Sequence, residues 1–268
     1  MSEEATVLVE DSGGVRIITL NRPDRLNALN DSIMAPLAVA VADAANDETV
    51  GCVVVTGAGR GFCSGGDLKG NRTPAEVTPE AGGQTEQGHV RLRSHMETAR
   101  LLHEMGKPTI AMVNGPVAGA GIGIAGACDL RLAGESATFL SAFDRIGGSG
   151  DFGSTWFWTQ ILGTAKAREL FFMGEKLDAK AALEFGLYTR LFADDVLFPD
   201  ETLRDETLKV AKRLAAGPRM GWRYMKANLN NAEDGIFEQH LDQESLYMGL
   251  STQAAGRIYK AMKDKGEG

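Results

Sequence analysis

Several residue types are scarce in this 268-residue chain, and each shortage argues against a class of protein. The three cysteines are scattered and odd in number, which favours a reduced compartment over a disulfide framework. The four histidines show no metal-ligand spacing, so we expect no metal site. Acidic residues outnumber basic ones, 36 to 28, and no basic run stands out, which argues against nucleic acid as a partner.

Long hydrophobic runs are also missing from the sequence. The longest apolar stretch, Val113–Ala127, is interrupted by glycines and is too short to cross a bilayer. The first residues are acidic and lack the basic start and apolar core of a signal peptide. We therefore expect a cytoplasmic globular protein that has no membrane partner.

What the sequence does contain is an alternation of short apolar runs and helical patterns. Two β-rich runs flank the turn signal at residues 11–14, which predicts a hairpin. Continuous apolar runs at residues 51–56 and 109–113 predict strands that are buried on both faces. Strands that alternate with helices indicate α/β architecture, and from Thr164 onward helical patterns dominate.

Two segments place a buried strand directly before a glycine-rich turn into a helix, Val53–Asp67 and Ala111–Gly123. The first N–H groups of a helix lack intrahelical partners, so two such turns could together hold one developing oxyanion. The alternative is tight strand–helix packing that happens to need glycine. Gly121–Gly126 also fits the GxGxxG pattern of dinucleotide sites, but the helix that follows is too short for that fold.

Three ordered motifs resemble those of the enoyl-CoA hydratase/isomerase (crotonase) family. The segment Gly59–Leu68 (GRGFCSGGDL) resembles the first active-site loop of the family, and Lys107–Arg131 resembles the second. The segment Asn21–Leu29 resembles the family's opening turn. The resemblance extends from about Val7 to Met262, nearly the whole chain.

This resemblance implies an α/β fold built as a crotonase-like spiral of ββα units. Residues 1–200 would form the core with the acyl-CoA site, and residues 201–268 a C-terminal helical region that builds homotrimers or hexamers. The substrate would be an acyl-CoA thioester, with coenzyme A as part of the substrate and no tightly bound cofactor. The backbone N–H groups of Gly66 and Ala120 would be the oxyanion donors. Contacts to coenzyme A would come from Arg25, Leu26, Ser64, Gly66, Asp67 and Leu68.

The type of reaction depends on the acidic residues. Family hydratases use two glutamates, and this sequence has Gly123 and Phe143 at the corresponding positions. The segment Ile146–Trp156 resembles the part of family isomerases where a single Asp or Glu faces the substrate, although Gly150 replaces their usual proline. We therefore predict an enoyl-CoA isomerase-type proton shuttle with Asp151 as the acid/base.

Other interpretations stay open at the level of sequence. Asp151 could instead cap the following helix, and Asp144 is the nearest competing carboxylate, although its spacing predicts that it points away. A hydratase could use Asp151 alone or with His89 or Glu86. A carbon–carbon bond hydrolase needs the same enolate stabilisation, and a catalytically silent CoA-binding or scaffolding protein needs none.

Overall fold

The computed structural model describes residues 5–67, 89–193 and 199–264, without the side chains of 199–201 and 252–264. Strands are numbered in chain order. The larger sheet has the order β1-β2-β3-β4-β6-β9, and the smaller sheet has the order β5-β7-β8. The strands are β1 (Val7–Ser12), β2 (Val15–Leu20), β3 (Cys52–Gly57), β4 (Thr109–Val113), β5 (Val117–Ala118), β6 (Leu130–Gly134), β7 (Thr138–Leu140), β8 (Leu177–Asp178) and β9 (Arg190–Phe192).

Helices surround the larger sheet and continue after it. They are α1 (Asp31–Asn46), α2 (Glu97–Glu104), α3 (Ala120–Ala127), α4 (Phe143–Ile146), α5 (Ser154–Leu162), α6 (Thr164–Met173), α7 (Ala179–Phe185), α8 (Pro199–Ala215), α9 (Arg219–Asp234) and α10 (Phe237–Asp264). The α/β architecture and the helical C-terminal region that the sequence predicts are both confirmed. No helix in the described part of the chain has the length and apolar character that a bilayer span requires.

The strands at the centre of the larger sheet are apolar throughout because helices cover both of its faces. In β3, for example, Val53 and Val55 pack into the main cluster with α1 and α2, whereas Cys52 and Val54 pack on the other side. That other side is covered by α8, which contributes Leu203, Ala211 and Ala215. Since successive side chains of a strand point to opposite faces, a strand buried on both sides needs a continuous apolar run.

The predicted hairpin and parallel strands are present, but two helices differ in detail from the prediction. The helix expected from Val90 to Met105 is interrupted at Met96, so residues 89–95 and α2 are separate helical segments. Helix α1 begins at Asp31 and contains Pro36, which has no N–H to donate to the carbonyl of Ser32. The Thr6 hydroxyl donates to that carbonyl instead, at 2.5 Å, which satisfies the exposed acceptor. The division of the chain at residues 200 and 201 stays a prediction.

Two buried asparagines hold the glycine-rich loop that follows β3. The Asn114 amide nitrogen donates to the carbonyls of Gly57 and Gly59, both at 2.8 Å, and its oxygen accepts from the Gly57 N–H. The Asn27 amide nitrogen donates to the carbonyls of Ala58 and Gly61, at 3.0 and 2.8 Å. These side chains replace the ladder hydrogen bonds that a loop lacks, so the loop has one defined path.

We expect Asn114→Ala to lower the free energy of unfolding by about 1–3 kcal/mol, because it removes the amide donor from the buried Gly57 carbonyl and from the more exposed Gly59 carbonyl. Urea denaturation followed by circular dichroism measures the change. The matched control is Asn46→Ala, which removes one exposed hydrogen bond to the Ala42 carbonyl and should have little effect. Equal losses in the two variants would contradict this role of Asn114.

Candidate active site

The two glycine-rich loops leave the same edge of the sheet because β3 and β4 are parallel neighbours. Beyond the strands, the loops are joined by main-chain hydrogen bonds. The N–H groups of Phe62 and Cys63 donate to the Pro116 carbonyl, at 3.1 and 3.3 Å, and the Ala118 N–H donates to the Cys63 carbonyl at 2.9 Å. The loops therefore run side by side beyond the end of the sheet.

The Gly66 N–H has no hydrogen-bond acceptor among the residues that the structure describes. The carbonyl of the same peptide unit, that of Gly65, accepts a hydrogen bond from the Leu29 N–H at 2.7 Å. No described peptide bond is cis, and the N–H and C=O of a trans peptide point in opposite directions, so the Gly66 N–H points away from Leu29. It donates to no described protein group, and no heavy atom lies within 4 Å of where a Gly66 side chain would begin.

The Ala120 N–H is oriented by the same rule at the start of α3. The carbonyl of its peptide unit, that of Gly119, accepts from the Ile122 N–H at 3.0 Å, so the Ala120 N–H points away from the helix. Among the described residues this N–H has no acceptor. The two turns touch each other, because a Cβ on Gly65 would lie only 3.4 Å from the Ala120 nitrogen. Two unsatisfied donors from separate loops thus lie close together, which is the arrangement that stabilises an oxyanion.

Cys63 lies directly behind these two turns. Its side chain is fully buried, and its thiol donates to the Asn27 carbonyl at 3.3 Å. Burial, with a smaller effect of the nearby negative charge of Asp151, raises the pKa of the Cys63 thiol to about 12. The thiol therefore stays protonated near neutral pH, so Cys63 is a small buried side chain rather than a nucleophile.

Asp151 lies on a sharply turning glycine-rich loop before α5. Gly150 has a φ of +105°, which proline cannot adopt, so this loop departs from the proline-containing loop of family isomerases. Helix α5 begins at Ser154 with Gly153 as its N-cap residue, so Asp151 is not the N-cap. The Asp151 Oδ1 is buried from solvent, and its charge acts on the thiol of Cys63. The carboxylate therefore lies close to the loop that carries Gly66.

The two positions where family hydratases have glutamates cannot supply acids. A Cβ on Gly123 would lie 2.7 Å from both the Cβ and the carbonyl oxygen of Phe152, and 3.0 Å from the Asp151 carbonyl oxygen. The loop that carries Asp151 therefore fills the space that a side chain at Gly123 would need. Phe143 is buried and stacks on Phe171 with 5.9 Å between ring centroids. Of these positions, one is sterically closed and the other is apolar.

Most of the residues that the resemblance assigns to coenzyme A lie along one rim. The Ser64 N–H donates to the Leu26 carbonyl at 2.9 Å, and its hydroxyl donates to the Arg25 carbonyl at 3.3 Å. The Asp67 N–H donates to the Leu29 carbonyl at 2.8 Å, which places Asp67 next to the exposed Gly66. Arg25 is exposed at the end of a short 3-10 turn. Their roles stay predictions.

Other predicted residues are less central. Leu68 and Glu86 lie outside the described residues, and His89 is exposed in a helical segment. The Asp144 carboxylate lies against Gly174 at the end of α6, which agrees with the expectation that it points away from the two turns. The sequence analysis assigned no role to Arg22, which bonds to Asp67 at 3.0 Å. The sequence does show a charged residue, Arg22, between a buried strand and a proline. It does not show the partner of this residue, because Asp67 lies 45 positions away.

We expect Gly123→Ala to lower the free energy of unfolding by about 1–3 kcal/mol, because the added methyl group overlaps the Phe152 backbone and forces it to move. The control is Gly249→Ala in α10, where an added Cβ meets no heavy atom within 4 Å and should raise stability by up to about 1 kcal/mol. Thermal denaturation compares the two. If Gly123→Ala were as stable as the wild type, the close packing of this loop on α3 would be wrong.

Comparisons with known proteins agree with this geometry. A family model described as enoyl-CoA hydratase/isomerase matches residues 10–263. The 1,2-epoxyphenylacetyl-CoA isomerase of Escherichia coli K12 is 37% identical over 90% of this chain and 88% of its own length. A probable enoyl-CoA hydratase of Mycobacterium bovis is 35% identical over 85% of this chain and 78% of its own.

The fold is also found among solved structures. A probable enoyl-CoA hydratase/isomerase from Mycobacterium abscessus superposes with a TM-score of 0.82 at 29% identity, covering 97% of this chain and 96% of the other. The predicted crotonase-like fold is thereby confirmed. The family match covers most of the chain, and the two relatives described above are more than 30% identical to it over most of its length. The chain is an enzyme of the enoyl-CoA hydratase/isomerase family.

Proposed function

We propose that this enzyme shifts a double bond within an acyl-CoA thioester by moving a proton from one carbon to another. The observation that carries this proposal is the position of Asp151: its loop packs against α3, the helix that begins with the Ala120 amide, and its Oδ1 is buried. The hydratase glutamate positions hold Gly123 and Phe143, neither of which can transfer a proton. The isomerase name of the Escherichia coli relative supports the same reaction class, whereas the hydratase names of others keep hydration as the second candidate.

In this reaction the thioester carbonyl oxygen accepts hydrogen bonds from the N–H groups of Gly66 and Ala120. Removal of a proton from the carbon next to the carbonyl, or from its vinylogous position, leaves an enolate whose negative charge lies largely on that oxygen. Donors that are already oriented stabilise this charge more than they stabilise the neutral carbonyl. Each such donor is worth about 3–4 kcal/mol of transition-state stabilisation.

The Asp151 carboxylate takes the proton and becomes a carboxylic acid. It then returns the proton to a different carbon on the same face of the enolate, and the carboxylate is regenerated. One group suffices because no water is added and no bond other than C–H is broken or made, apart from the shift of the double bond.

Coenzyme A is proposed to lie along the rim formed by Arg25, Leu26 and Ser64. The exposed guanidinium of Arg25 suits the phosphate groups of the nucleotide end, even though the chain as a whole is acidic. The reaction is redox-neutral and needs only proton transfer and charge stabilisation. We therefore propose coenzyme A as part of the substrate and no separate tightly bound cofactor.

We expect Asp151→Asn to reduce kcat for double-bond migration by about 100-fold or more, because the amide cannot accept the proton. Incorporation of solvent deuterium into a panel of enoyl-CoA thioesters, followed by mass spectrometry, measures the reaction. The matched control, Asp144→Asn, changes a carboxylate on the short helix α4, seven residues earlier, and should leave the rate nearly unchanged. Full turnover by the Asp151→Asn variant would remove this residue from the mechanism.

The same assay separates the other reaction classes. An isomerase incorporates label at the α or γ carbon and gives no water adduct. A 3-hydroxyacyl product would instead identify a hydratase, and a cleaved acyl chain a carbon–carbon bond hydrolase. Coenzyme A binding without exchange on any thioester would identify a silent binding protein.

We further propose that the chain forms homotrimers, single or in pairs, through its C-terminal helices. Helices α9 and α10 pack on each other and leave a groove of about 650 Å³ with exposed apolar side chains. The most exposed apolar side chains described on the two helices and the turn between them are Met225, Leu229, Ile236, Phe237, Leu246 and Met248, of which Met225, Leu229 and Met248 line the groove. A patch of this kind is unfavourable in water, and burial against another chain would stabilise it.

For Leu229→Glu we expect a shift towards the monomer in sedimentation velocity, because the charge would be buried in the contact between chains. Val39→Glu is the control, since Val39 is similarly exposed on α1, outside the C-terminal helices. A monomeric wild-type protein, or an unchanged assembly in Leu229→Glu, would contradict the proposed contact.

A further inference from the structure

We propose that Arg22 is a positioning residue whose ion pair with Asp67 fixes the direction of the Gly66 N–H. This inference rests on the proposed function, because it assigns Arg22 a part in polarising the thioester carbonyl. Arg22 lies just after the end of β2, in the turn that precedes the 3-10 segment Pro23–Arg25.

The Arg22 guanidinium contacts two separate segments at once. Its Nη1 donates to the Ala28 carbonyl at 2.5 Å, and its Nη2 donates to the Asp67 Oδ2 at 3.0 Å. Both charged side chains are largely shielded, with exposed fractions of 18% for Arg22 and 12% for Asp67. The main-chain N–H of Arg22 is also fixed, because it donates to the Asn27 Oδ1 at 2.8 Å. The guanidinium is therefore held in one orientation between the opening turn and the first loop.

The residues that Arg22 contacts are next to the two main-chain hydrogen bonds that orient Gly66. The Leu29 N–H donates to the Gly65 carbonyl, and the Asp67 N–H donates to the Leu29 carbonyl, at 2.7 and 2.8 Å. Ala28 immediately precedes Leu29, and Asp67 immediately follows Gly66. Arg22 therefore links the segment that contains Leu29 to the segment that contains Gly66, next to these two hydrogen bonds.

Within the described part of the chain, no other contact restrains Gly66. It has no side chain, it is exposed, and an added Cβ would meet no heavy atom within 4 Å. Glycine has the largest backbone freedom of all residues, so the direction of its N–H depends on its neighbours. A donor helps the transition state only when it already points at the charge, and a small misplacement costs rate.

A purely structural role for the ion pair between Arg22 and Asp67 predicts a different experimental result. If the pair only stabilised the fold, its loss would lower the thermal stability and leave the polarisation of a bound thioester unchanged. Carbonyl polarisation can be measured without turnover, because the absorbance of a conjugated enoyl thioester moves to longer wavelength when its carbonyl oxygen accepts strong hydrogen bonds. The size of this red shift reports on the two donors directly.

The experiment compares Arg22→Gln, Arg22→Lys and Asp67→Asn with the wild type. The matched control is Arg16→Gln. Arg16 lies near the start of β2, whereas Arg22 follows the end of this strand. Arg16 forms ion pairs with Asp11 and Asp47, at 2.7 and 2.8 Å, and its side chain is 11% exposed. Crotonyl-, sorboyl- and cinnamoyl-CoA serve as probes, and each protein is titrated for its Kd and its red shift. The kcat and KM for deuterium exchange are measured in parallel.

We expect Arg22→Gln to keep nearly the wild-type Kd and KM, lose most of the red shift and lose about 10- to 100-fold in kcat. The red shift and kcat of Arg22→Lys should lie between those of the wild type and Arg22→Gln. An ammonium group can pair with Asp67, but it lacks the second guanidinium nitrogen that donates to the Ala28 carbonyl. Arg16→Gln should keep the full shift even if it melts earlier. Should Arg22→Gln fail to fold, the shifts of Arg22→Lys and Asp67→Asn decide the question.

A wild-type red shift in Arg22→Gln, or in both other variants, overturns this inference and leaves the proposed function intact. An absent shift in the wild-type protein with every probe overturns the proposed function, and the inference with it.

Discussion

The short main-chain pairing between the two glycine-rich loops is the constraint on which the rest of the site depends. The Pro116 carbonyl accepts from Phe62 and Cys63, and the Cys63 carbonyl accepts from Ala118. Strands β3 and β4 are parallel neighbours, and this pairing continues their contact beyond the end of the sheet. Side-chain packing alone would not fix the backbone of the two loops there. The backbone itself therefore holds the two loops together, and the side chains of Asn27, Asn114 and Arg22 add to this by fixing the path of the first loop.

Helix α3 contains three glycines, and three other segments approach it closely at these positions. A Cβ on Gly121 would lie 2.6 Å from the Cys63 carbonyl oxygen, one on Gly123 would meet the loop of Asp151, and one on Gly126 would lie 3.0 Å from the Phe157 Cβ. The first loop, the carboxylate loop and α5 thus all pack against one helix. The glycines of this helix serve close packing, which is one of the two interpretations of these turns, and the oxyanion role of Gly66 and Ala120 stays a proposal.

Much of the fold follows from local patterns in the sequence. The apolar runs of β3 and β4 identify buried strands, and the glycines after them identify close turns, because these signals lie within about ten residues. The orientation of Asp151 could not be predicted, because it depends on the positive φ of Gly150 and on a contact with Gly123 from a distant segment. The ion pair of Arg22 with Asp67 is equally invisible, since nothing local marks which carboxylate an arginine will meet. The interruption at Met96 has no evident local signal either.

The separation of the paired loops along the chain has a consequence for folding. The Thr56 hydroxyl donates to the Met112 carbonyl across 56 positions, and the loop contacts span similar distances. Contacts of such high contact order form late and cooperatively, because the entropy of closing the intervening chain must be overcome first. A partly folded chain would therefore have separate glycine turns but no joined pair, and the ability to polarise a thioester would arise only with the complete native topology.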